Sequence, residues 1–152
     1  FAAQALKNNT ATLVSYVEAI WESFICNLVI VRQNLINQDP DAVQALVSGA
    51  AGAGIWTHEN TDQAAKIAAK YWKQPEDLVN YALTTPKNRI VYHNYLPRKE
   101  EIQHMANLMK KFGLITRSDI GELVQDRFAR KINPENIFNL EDLLKIIRTA
   151  ER

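Results

Sequence analysis

The sequence has one cysteine, Cys26, too few for an internal disulfide framework or a thiolate zinc cluster. Its 18 Lys+Arg stand against 17 Asp+Glu, a net charge of +1, and neither sign gathers into a long run. A protein that grips a phosphate backbone needs a basic stripe, so nucleic acid is not an expected partner. The densest basic stretches, Lys110-Lys111 and Arg127 to Lys131, are broken up by other residues and read as solvated faces. No apolar run reaches the about 20 residues needed to cross a bilayer. No charged leader precedes an apolar stretch, and the chain opens on Phe1 rather than Met. The expectation is that a targeting segment has been removed or that a longer protein continues upstream.

Chemistry-bearing motifs are also missing. Glycine is scarce, and three of the five, Gly49, Gly52 and Gly54, lie inside a helical pattern. They form no phosphate loop, because no strand-to-helix turn or Lys-Ser/Thr pair accompanies them. They are read as packing glycines that let another backbone approach closely. His58, His93 and His104 fall on different elements, and none makes the i, i+4 pair with a central Glu that a helical zinc site uses. His58 reads as a solvent-facing helix end and His104 as exposed. No serine sits in a nucleophile elbow, and nothing local activates Cys26, which is expected to be a buried packing thiol. The expectation is no enzyme, no metal and no cofactor.

What is present is the size of one domain, 152 residues and 17.3 kDa, with one core. Its parts are expected at 1–32, 33–131 and 132–152. Leu13, Val14, Val17, Ile20, Trp21 and Phe24 recur at helical spacing and predict a helix over the first 24 residues. The β-branched run CNLVIVR predicts a buried strand from about 26 to 32. Asp39-Pro40 is a helix start, and Val43, Leu46, Val47, Ala50 and Gly54 carry its face to about 57. Asn60 with Gln63 resembles a capping box opening a helix with the stripe Ala64, Ile67, Ala68 and Tyr71. Trp56 is expected to pack beneath that elbow. A further helix starts at Pro75, with Glu76 and Asp77 in its first turn, and ends by Pro86. RIVYHNYLP is a strand or an extended connector.

From Pro97 the stripe Ile102, Met105, Ala106, Met109 and Phe112 predicts a strong amphipathic helix stopped by Gly113. Ser118 and Asn139 are candidate N-caps of two last helices, the final one bearing Leu140, Leu143, Leu144 and Ile147 on one face. Helix outnumbers strand, which predicts a helix-rich α/β layer whose other strands lie outside this chain. Trp21, between Glu18 and Glu22 and just before the predicted strand, is the aromatic best placed to face a ligand, since open α/β sheets bind at strand ends.

The succession ICNLVIV, RQNLINQDP, AVQALVSGAAGAGIWTHENTDQAAKIAAKYW and RIVYHNYLPRKEEIQHMANLMKKFGLI, over roughly 14–131, resembles the C-terminal half of the nitrate/sulfonate/taurine family of periplasmic solute-binding proteins of ABC transporters. The resemblance implies the C-terminal portion of a two-lobe, type II periplasmic-binding-protein fold. It implies a small anion or sulfonate-like solute bound between lobes and handed to a membrane permease, without catalysis. It implies a periplasmic or extracytoplasmic location, with any membrane anchor in a segment before Phe1. SYVEAIW is similar to the family's stretch in which an acidic residue ends a strand near the cleft, which maps to Glu18, with Trp21 as a nearby wall. The link from there to the Cys26 run is shorter than the family's, and the first lobe would precede Phe1. Two alternatives stand beside it: a helical interaction or sensor module that reuses this fold and dimerises, and an enzyme of the pyrimidine-precursor type that shares it. Self-association through exposed apolar faces is expected.

Overall fold

A computed structural model of the chain describes residues 2–22, 24–87 and 91–136. Taken over those residues the chain divides into two units, one drawing on Phe1–Phe24 and Gly54–His93, the other on Ile25–Ala53 and Asn94–Arg152. The division falls inside one long helix, between Ala53 and Gly54.

The first unit is built on a helical hairpin. Helix α4 (Thr61–Trp72) and helix α5 (Glu76–Thr84) run antiparallel, since Asn80 donates to Asp62 at 2.8 Å and Lys66 faces Glu76. Their seam is made of small residues: Ala65, wholly excluded from solvent, with Ala69 and Val79, flanked by Ala68 and Leu83. Alanine carries no side-chain entropy cost and lets helix axes approach closely, so a narrow face suffices. The buried stripe is therefore Ala64, Ala65 and Ala69, whereas Ile67 and Tyr71 of the expected stripe point to solvent. Lys73, at φ +52, takes the left-handed conformation that ends α4. The short helix α1 (Ala2–Lys7) docks on α5, where the Lys7 ammonium donates to the Asp77 carboxylate.

The second unit contains α2 (Gln33–Gln38), the first part of α3 (Pro40–Glu59) and α6 (Lys99–Lys111). Ile36, Val43 and Phe128 form its buried cluster, with Val31 and Val47 against it. The Gln44 amide donates to the Phe128 carbonyl at 3.0 Å and pins the 3-10 turn region near Ala129–Lys131 to α3. Asp39 caps α3 as expected, its carboxylate accepting from the Ala42 N–H at 2.9 Å. Gly113, at φ +73, stops α6: its N–H reaches the Lys110 carbonyl and the Leu114 N–H reaches Met109, the paired bonds of a Schellman ending.

Several expectations are corrected. Among the described residues there is no strand and no sheet, so the chain is helical and not the helix-rich α/β portion of a two-lobe binding-protein fold. The run over 26–32 is irregular and its side chains are largely exposed, with Ile30 at 87%. A β-branched run becomes a strand only when a neighbour takes its backbone hydrogen bonds, and none does so here. Cys26 is accordingly exposed rather than buried. The first 24 residues do not form one helix. Asn9, at φ +55, follows α1, and among the described residues up to 24 a 3-10 turn at Val17–Ala19 is the only helical turn after it, with Val14 and Ile20 exposed.

No helix begins at Ser118. Its carbonyl accepts from Gln103 at 2.7 Å, and Asp119 turns the chain by accepting from the Gly121 N–H. Tyr92 and His93 form a turn and 94–98 run on without helix or strand, so the described part of RIVYHNYLP is a connector and not a strand. Residues 88–90, Asn139 and the stripe Leu140, Leu143, Leu144 and Ile147 lie outside the described residues.

Candidate functional site

Glu18 and Trp21 are brought close by the 3-10 turn at Val17–Ala19, where the Trp21 N–H donates to the Val17 carbonyl at 2.8 Å. Both are half-buried. The Trp21 ring meets Phe24 edge to face, centroids 5.7 Å apart. The strand end on which their cleft placement depended does not exist.

A different pair is assembled at the elbow. Asn60 begins α4, yet its side chain makes no capping bond forward; its amide donates back to the Trp56 carbonyl at 3.0 Å, and the Thr61 hydroxyl donates to Thr57. The expected capping box is thus replaced by bonds that hold the last turn of α3. Half-buried Trp56 and exposed His58 lie on that turn. Four residues before His58, Gly54 lies directly under the backbone of Tyr92: a Cβ at 54 would collide with the Tyr92 carbonyl oxygen and stand 3.3 Å from its carbon. Gly54 is therefore where close backbone approach is used, whereas Gly49 has open space around it. With Tyr92 seated on Gly54, the next residue, His93, falls over His58, the ring centroids 4.1 Å apart and the planes tilted by 52°. Reading each histidine alone missed this; the signal was Gly54 and His58 at i, i+4, but their partners, Tyr92 and His93, lie 38 and 35 residues away in sequence.

The second unit holds a hollow of about 330 Å³, lined by Asn94, Leu96, Pro97, Arg98, Lys99, Glu100, Asp126 and Arg130 at the start of α6. Three cationic side chains face two carboxylates there, and the guanidinium groups are already engaged: Arg98 pairs with Glu101, and Arg130 Nε lies 2.7 Å from Asp126. Lys99 adds a cation beside the α6 N-terminus, where helix amides favour negative charge. Among the described residues no three His, Cys, Asp or Glu converge, and no helix is long and apolar enough to cross a membrane. Comparison with family models, curated proteins and solved structures gave no match.

Proposed function

We propose that the chain is a helical interaction module whose partner is a second copy of itself. The observation that carries this is the segment around residues 28–30. Leu28, Val29 and Ile30 are all exposed, and none of the non-helical backbone hydrogen bonds among the described residues involves 25–31. Apolar side chains and open backbone groups on one short run form a pairing template, the situation that ordinary proteins avoid at sheet edges. An identical run on a second chain supplies both complements about a two-fold axis. A net charge of +1 offers little repulsion between copies. Light scattering over micromolar concentrations tests it. Wild type should exceed its 17.3 kDa monomer mass, and Ile30→Ser should return it to that mass. A wild type that stays monomeric throughout contradicts the reading.

A second reading keeps the small-anion chemistry of the importer resemblance, supported by the Lys99 side of the hollow. Delivery to a permease drew its support from a two-lobe fold that the helical chain does not have, so binding is what can be tested. Thermal unfolding with millimolar nitrate, sulfate, taurine and alkanesulfonates should show a selective rise in midpoint that Lys99→Gln removes. A ligand at 100 times its Kd stabilises by about 2.7 kcal/mol. No shift with any of these solutes counts against it.

A further inference from the structure

We propose that His58 and His93 form a two-imidazole chelate for a divalent transition-metal ion of the copper(II), nickel(II) or zinc(II) class. Metal-bound imidazole nitrogens lie about 2.0–2.1 Å from such an ion. Two of them on adjacent coordination positions are then about 3 Å apart. Rings whose centroids already stand 4.1 Å apart reach that arrangement by rotation about side-chain bonds. Both side chains are exposed, so the ion can enter from solvent and keep water on its other positions.

The pairing is built into the backbone. Gly54, one helical turn before His58, allows Tyr92 to sit against α3, and that contact sets the height at which His93 crosses the helix. The Asn60 and Thr61 bonds to Trp56 and Thr57 hold the turn that carries His58. The donor set is nitrogen only, since no third His, Cys, Asp or Glu among the described residues completes a cluster. Imidazole without carboxylate selects copper, nickel and zinc over magnesium and calcium, and the general affinity order puts copper first.

Calorimetric titration of the untagged full chain with copper(II) and nickel(II) in a non-coordinating buffer tests the site, with copper electron paramagnetic resonance alongside. One ion per chain is expected, with two nitrogen couplings in the spectrum. His58→Ala and His93→Ala should each weaken copper binding at least tenfold, while His104→Ala leaves it within twofold. Neither His58 nor His93 is buried, so far-ultraviolet circular dichroism should match wild type in both variants. Gly54→Ala keeps both ligands but displaces Tyr92, and should weaken binding as well. Copper affinity within twofold of wild type in either His58→Ala or His93→Ala overturns the proposal, as does a loss of binding in His104→Ala.

Discussion

The α4–α5 hairpin and the segment 25–32 differ in the opposite sense from their hydrophobicity. The segment is rich in Leu, Val and Ile and stays irregular and largely exposed, with Val31 against the Ile36–Val43–Phe128 cluster; the hairpin buries a seam of alanines with Val79, although Ile67 and Tyr71 stay exposed. Apolar content supplies a driving force, but a regular element also needs its backbone bonds closed. A helix closes them within itself, whereas a strand needs a neighbour. On this account the hairpin is complete in one chain and the segment is completed by a second.

The largest effects should come from the two buried clusters, the hairpin seam and the one that Val31 of the segment touches. Phe128→Ala empties the centre of the Ile36–Val43 cluster and should cost about 3 kcal/mol in urea unfolding. Ala65→Leu forces three carbons into the hairpin seam, where no space is left, and should cost about 2 kcal/mol. By contrast Ile30→Ser should change monomer stability by under about 0.5 kcal/mol while abolishing association, since an exposed side chain has no packing to lose. Lys73→Gly sharpens the hairpin side: it relieves a left-handed lysine and should raise stability by about 0.5 kcal/mol.

The smallest effect is that of the α1–α5 contact. The Lys7 ammonium, donating to Asp77, holds that carboxyl below its ordinary 3.8. A carboxyl lowered in the folded state stabilises above its unfolded value, and that contribution is lost as pH falls through the lowered one. Both side chains are exposed, so screening keeps it slight. The midpoint of Asp77→Asn should fall just below wild type at pH 6, and the gap should close as pH falls through the lowered Asp77 value.

The sequence was most legible where local chemistry closes on itself. Asp39-Pro40, Pro75 with its two acidic followers, and Gly113 after Lys110-Lys111 each marked a helix end that the structure shows. It misled where a pattern depends on a distant partner. Helical spacing from Leu13 to Phe24 and β-branching from 26 to 32 stated a preference, but the contacts that would realise it are not made within the described chain. Glu18 and Trp21 inherited their ligand role from that strand and lose its support with it. His58 and His93 were visible singly; only the fold over Gly54 joins them.

Hydrogen exchange at two protein concentrations separates a segment that pairs between chains from one that pairs within its own chain or not at all. Amides of 26–31 should exchange freely in dilute solution and become protected at high concentration, while those of α4 and α5 stay protected in both. Equal protection of 26–31 at both concentrations would mean a partner within the same chain, and no protection at either would mean no pairing; each contradicts the account.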